Sequence, residues 1–337
     1  MSVAPNLQSV VVDEQTKRVF VASEGPLAAN GGPIGRGNVS VVDATTGTIA
    51  ATIPLSGALA VNEPRGCVYL LDNNGVEVLD ATTGRVRRHI GGVVGGAIVV
   101  DPQTNRAFVS SDGGTITMLD TTKGTVAGTI PARGGARMVA VDTRAARVFY
   151  LSGTFRQGDL TALDARTGAE RYDVPAGDAY PTVAAVDERL GRVYVESNPP
   201  ESNSGPVPTS IAIHDAATGQ HIRDTPLGLV GFPTTPNGAQ SIAVDEAHGQ
   251  VFVLTVPFTL DHNGVPRHGP ARLVTFDAAT GTVSSSVGVG KDPQAVVVDA
   301  RLRRVFVANR GDNTVSVFDA DSVLSSGGKA TVALCLC

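Results

Sequence analysis

Seven times along the chain an aspartate or asparagine is followed, seven residues later, by an aromatic residue. The pairs are Asp13 and Phe20, Asn62 and Tyr69, Asp101 and Phe108, Asp142 and Phe149, Asp187 and Tyr194, Asp245 and Phe252, and Asp299 and Phe306. Each first member closes a β-branched run, such as the AVVVD that ends at Asp299. Each second member lies inside another, such as RVFVAN. Runs of this kind bounded by turn residues read as strands, and an unvarying offset reads as one tight turn between antiparallel neighbours. The aromatic is expected to face the layer between sheets. Two positions before it stands arginine in five units (Arg18, Arg106, Arg147, Arg192, Arg304), with Cys67 and Gln250 in the others. The arginine shares the aromatic's parity, so its stem is expected to cover the sheet edge while its charge stays in water.

A second anchor ends the third strand of each unit: Asp43, Asp80, Asp120, Asp164, Asp215, Asp277 and Asp319. Six of these have glycine four residues on, in DATTG, DATTG, DTTKG, DARTG, DAATG and DAATG. Aspartate accepts backbone N–H groups just downstream and glycine takes positive φ at low cost, so these carboxylates read as turn formers. Fourth strands follow, as in TIAATIP at 48–54 and RVRRHI at 85–90. Seven four-stranded units predict an all-β, seven-bladed β-propeller of antiparallel blades, one domain over 1–337. The approximate blades are 8–54, 58–91, 97–131, 137–175, 182–225, 240–288 and 294–335. Two closures fit this count. Either the tail ATVALCLC completes the last blade and side chains seal the ring, or one terminus lends a strand to the other's blade.

Composition narrows the function classes. The chain is 42% hydrophobic, ample for the cores between blades, and carries 32 acidic against 27 basic residues. No basic block tracks a phosphate backbone, so nucleic acid is not expected as a partner. No apolar run approaches about 18 residues, so no membrane span is expected. A monomer is expected, and the opening MSVAPNLQSVVVDE lacks the pattern of a signal peptide. Cys67, Cys335 and Cys337 form no disulfide framework and no zinc set.

Loop lengths single out one face. From aromatic anchor to the next aspartate, blades 2 and 3 take 11 and 12 residues, whereas blades 1, 5 and 6 take 23, 21 and 25. The extra segments are EGPLAANGGPIGRG (24–37), ESNPPESNSGPVP (196–208) and TVPFTLDHNGVPRHGP (255–270), with a smaller SGTFRQGD (152–159). The link PLGLVGFPTTPNGAQ (226–240) is also long. All are second-to-third-strand loops or inter-blade links, which share one side of the disc. Binding concentrates in loops on rigid scaffolds, so this decorated face is the expected functional one.

The unit resembles the YVTN family of β-propeller repeats, of the surface-layer type. The resemblance rests on VFVANRGDNTVSVFDA at 305–320, VFVAS at 19–23, VYLLD at 68–72, VYVES at 193–197 and NVSVVDATTG at 38–47, and it spans 8–334. It implies a binding or scaffold protein and an extracellular or periplasmic setting. The chain has no tryptophan, unlike WD repeats.

The leading expectation is therefore a non-catalytic propeller, without cofactor, that recognises a protein, peptide or glycan. Its expected binding residues lie at the channel mouth and on the decorated face: Glu24, Asp72, Asp112, Tyr180, Glu196, Phe232, Gln240, Asn309 and Arg310. The alternative is a divalent-metal-dependent hydrolase or lyase acting at the channel mouth. There Glu24, Asp72, Asp112, Glu196 and Asn309 would supply oxygen ligands to Ca²⁺ or Mg²⁺. Such a site would look like those of sugar-lactonase and streptogramin-lyase propellers, whose residue sets this chain does not match. Asp261, His262 and His268 form a second, weaker candidate for metal or acid–base chemistry.

Overall fold

The computed structural model describes residues 6–26, 35, 37–111, 113–132, 135–136, 138–154, 157–176, 180–198, 209–228, 230–231, 241–260, 266–324 and 332–335. It is a seven-bladed propeller of antiparallel sheets. The innermost strands are Leu7–Asp13, Ala58–Asn62, Ala97–Asp101, Met138–Asp142, Tyr180–Asp187, Ile242–Asp245 and Pro293–Asp299. Each touches the next in order, and the last touches the first, which closes the ring.

The turns repeat more strictly than their letters do. At the first-to-second turn the inner aspartate accepts backbone N–H groups, as when Asp13 Oδ1 takes Gln15 and Thr16, each at 3.0 Å. The residue four beyond the anchor is left-handed in every blade: Lys17, Gly66, Asn105, Ala146, Gly191, Gly249 and Arg303. Its carbonyl accepts the N–H of the residue after the second aspartate, from Ala44 to Lys17 at 2.9 Å through Ala320 to Arg303 at 2.8 Å. That stitch explains the alanine in the DATTG-type motif. Ala44, Ala81, Ala165, Ala216, Ala278 and Ala320 are fully buried where the two turns meet.

At the third-to-fourth turn, Asp43 Oδ1 accepts Thr45 and Thr46 N–H at 2.9 Å, and Gly47 sits at φ 74°. The seventh unit has no glycine at this place. There Asp319 caps a short helix, Ala320–Leu324, accepting Asp321 N–H at 2.9 Å.

The aromatic anchors are buried between blades, all at 2% exposure or less. Tyr194 meets Phe276 of the next blade edge-on, with ring centroids 5.8 Å apart. Four of the five arginines also find a local partner. Arg18 and Arg106 pair with Asp43 and Asp120 in their own blades, at 3.2 and 3.1 Å. Arg192 and Arg304 cross into the next blade, to Ala278 and Ala279 carbonyls at 2.5 and 2.8 Å and to Ala44 and Thr45 carbonyls at 2.5 and 2.6 Å. A guanidinium has five donors to satisfy, and carbonyls exposed at the neighbouring turn lie within its reach.

Ring closure uses the same parts as the other seams. The strand Val332–Cys335 completes the last sheet and Leu7–Asp13 opens the first, so among the described residues no strand is exchanged. Leu7, Val10, Val19 and Val21 pack on Ala295, Val297, Phe306 and Ala308. Glu14 accepts the Ala300 N–H at 2.8 Å and pairs with Arg301 at 3.2 Å. Glu14→Ala would orphan that N–H and is expected to cost about 1–3 kcal/mol in a urea titration. Glu14→Gln keeps an acceptor and should recover most of it; equal losses from both variants would refute this account of the seam.

Candidate functional site

The central channel is aliphatic. Its lining draws on every inner strand, with Val12, Val61, Val99, Val141, Val186, Val244 and Val298 among the residues, and encloses about 320 Å³. Glu188 and Glu246 stand at its rim on the plain face, opposite the decorated one.

That rim is built by a rule the sequence reading overlooked. One residue beyond the inner anchor, blades 1, 2, 5 and 6 carry Glu14, Glu63, Glu188 and Glu246. Each accepts the N–H of the equivalent residue in the preceding blade. The donors are Ala300 to Glu14 and Glu14 to Glu63, both at 2.8 Å, and Thr143 to Glu188 and Glu188 to Glu246, both at 2.7 Å. Burial pushes Glu14, Glu63 and Glu246 above their ordinary 4.5, and neighbouring carboxylates add to the effect. Arg144 lies across Glu188 and Glu246 at 3.6 and 3.9 Å. The signal was present as four glutamates at one repeat position.

Several of the residues expected at the decorated mouth are engaged locally. Glu24 takes the Gln8 amide within its own blade. Asp72 Oδ1 accepts Asn74 and Gly75 N–H at 2.7 and 3.0 Å, which makes it the turn former of a tight hairpin. Asn309 is buried and donates to Thr314 and Ser316 hydroxyls at 3.1 and 2.9 Å. Arg310 pairs with Asp292 at 2.7 Å. Tyr180 opens the inner strand of blade 5. Asp112, Phe232 and Gln240 lie outside the described residues, as do Asp261 and His262. His268 ends the strand Pro266–His268. No group of three or more His, Cys, Asp or Glu among the described residues is arranged to hold a metal ion.

Glu196 differs from its equivalents. Two residues beyond the aromatic, the other blades carry Ala22, Leu71, Ser110, Leu151, Leu254 and Ala308. Glu196 is fully buried there and accepts the Ser241 hydroxyl at 2.6 Å across the seam to blade 6. It is a carboxylate held inside a seam, whereas the alternative metal reading would use it as a ligand at the open rim.

The seam between blades 5 and 6 is also where the fold is most elaborated. The second strand of blade 6 runs long, Gln250–Leu260. Its extension pairs with Pro266–His268 on one side and with Val230–Gly231, from the long link, on the other. These additions make blade 6 a six-stranded sheet. Beside them opens a groove of about 400 Å³, a size typical of small-ligand sites. One wall is Pro226, Leu227 and Gly228 of blade 5. The other is Thr255, Pro257, Arg272, Val274, Val283 and Ser286 of blade 6.

Comparison with known proteins agrees with this architecture. The PQQ_2 family model, described as outer membrane protein assembly factor BamB, matches residues 35–236. The chain belongs to this family. Among solved structures, the chain is similar to hydrazine synthase of Kuenenia stuttgartiensis, with a TM-score of 0.72 at 15% identity. The likeness covers 94% of this chain and 96% of that one. At that identity the likeness is one of fold. No curated protein sequence matches the chain.

Proposed function

We propose that this chain is a non-catalytic propeller that binds a protein, peptide or glycan through its decorated face. The observation that carries the reading is the one-sided elaboration at the seam of blades 5 and 6. There the long link and the extended hairpin add strands beside an open groove. A rigid ring that varies its loops on one side presents a recognition surface. Four of the five side chains on which a metal-dependent reaction would draw have local partners: Glu24 with Gln8, Asp72 in its hairpin, Glu196 with Ser241 and Asn309 with two hydroxyls; the fifth, Asp112, lies outside the described residues. The likeness to surface-layer-type YVTN propellers supports the same reading, with a monomer acting outside the cytoplasm.

The test is to probe peptide and glycan arrays with the full chain and two variants. Replacing residues 199–208 by a short Gly/Ser linker alters the decorated face. Lys123→Glu alters an exposed plain-face turn. Hits should weaken at least tenfold in the first variant and persist in the second. The opposite pattern, or metal-dependent turnover of a lactone panel, would overturn the reading.

A further inference from the structure

Deepening the binding reading, on which it rests, we propose that the groove between blades 5 and 6 receives a carboxylate carried on an aliphatic body. Arg272 would hold the charge and Thr255 would give a hydroxyl.

Arg272 opens the third strand of blade 6, directly across from Thr255 on the second. Its parity turns it toward blade 5, as it does Val274, which also lines the groove. Two hydrogen bonds fix the guanidinium: Nε donates to Ser286 Oγ and Nη2 to the Ser286 carbonyl, both at 2.6 Å. The Nη1 donors remain, and no carboxylate among the described residues pairs with them. Elsewhere the chain closes such ends. Arg18, Arg106 and Arg310 meet aspartates, and Arg192 and Arg304 meet turn carbonyls. A half-buried guanidinium held rigid and left one-sided is suited to a planar anion.

Thr255 supplies an independent observation. The residue is fully buried behind the groove wall, with 0% exposure, and its Oγ1 lacks a hydrogen-bond partner. A buried hydroxyl without a partner carries a desolvation cost that a ligand oxygen would remove. Apart from Ser286, which holds Arg272, the rest of the wall is apolar. Leu227, Pro226, Pro257 and Val274 surround the polar pair, and Val283, 44% exposed like its repeat equivalents Val86 and Val126, carries the apolar wall to the surface. Arg272 is the one charged side chain among the described lining residues. A cationic ligand would meet like charge there, and a fully polar one would leave the aliphatic wall wet. Charge and wall together select an aliphatic acid. That acid arises either as a free fatty-type carboxylate or as the C-terminus of a chain ending in an aliphatic residue.

Methyl NMR on the full chain tests this with four probes: hexanoate, hexylamine, and an acetylated tripeptide ending in leucine, with its C-terminus free or amidated. Hexanoate or the free-acid peptide should shift the Leu227, Val274 and Val283 methyls, and the amine and the amide should not. Which of the two acids binds more tightly identifies the source. Arg272→Gln should weaken binding at least tenfold. Thr255→Val should weaken it several-fold while the urea midpoint holds or rises, because the orphaned hydroxyl is gone; a packing defect would lower both. Unmoved methyls with both acids, equal binding of hexylamine, or an unchanged affinity in Arg272→Gln would overturn the assignment. Failure here with array hits that still need the decorated face would discard the carboxylate site and leave the binding function standing.

Discussion

Phe252→Ala is expected to lower the unfolding free energy by about 3–5 kcal/mol, the usual cost of deleting a fully buried aromatic. Phe252 has no exposed surface and packs in a cluster that crosses from blade 6 to blade 7, with Leu254, Leu273, Val296, Val305, Val307 and Phe318. The seven anchors occupy equivalent wedges, and each seam is sealed on both sides by neighbours that are themselves closed in the ring. A cavity at one seam therefore has little freedom to collapse, which places the cost toward the upper part of the range. The measurement is a denaturant titration read as a shift in midpoint at constant slope, which separates lost stability from a changed transition. Val86→Ala is the control. Val86 is 51% exposed on an outer strand, and its loss should stay within about 0.5 kcal/mol. A loss below about 1 kcal/mol for Phe252→Ala would mean that the wedges do not hold the blades together.

What could be read from the letters follows the same division. The fold was legible because a tight turn and a buried wedge each constrain residue type at a fixed offset, and repetition makes the constraint visible seven times. Asp13 and Phe20, or Asp43 and Gly47, announce backbone geometry that few other residues satisfy. The left-handed position four beyond the anchor was not legible, because the stitched carbonyl enforces it on Lys17, Ala146 and Arg303 as firmly as on Gly66. The candidate site was less legible still. Glu196 and Asp72 look alike as acidic residues near the ends of second strands. Whether a carboxylate enters a seam or closes a hairpin depends on its neighbours in space, Ser241 in one case and Gly75 in the other. Arg272 gave no signal because what distinguishes it is a missing partner, and absence of a contact has no letter.

The plain face makes the second large prediction, on pH. Two sets of carboxyls act in opposite directions. Asp80, accepting the Thr83 N–H and paired with Arg87, is held down to about 2. Asp164 is partly buried, which opposes the shift, yet Arg171 and the Thr167 N–H also hold it to about 2. Asp43 and Asp277 are lowered by the same turn geometry. The stability these groups contribute is complete above their ordinary 3.8 and is lost as pH falls toward 2. Glu63 and Glu246 behave inversely. Burial raises them above 4.5, so their contribution is complete below 4.5 and is lost as pH rises through their folded values. Buried His214, depressed below 6.5 by desolvation, opposes the glutamates, since its contribution is lost as pH falls. A variant difference isolates the carboxyls from it. In Glu63→Gln/Glu246→Gln, the amide oxygens still accept the Glu14 and Glu188 N–H groups but cannot ionise. The variant should match the wild type near pH 4 and become progressively more stable than it from pH 4.5 upward. Arg144, 61% exposed, loses little when its 3.9 Å contact with Glu246 goes. Urea titrations at constant ionic strength from pH 3 to 8 read both limbs. A variant less stable than wild type at pH 7 would show that the glutamates hold the seams as charges, with Arg144 and Arg301 as partners that matter. A variant that gains stability with pH would show that they hold the seams as hydrogen-bond acceptors, for which ionisation is a cost.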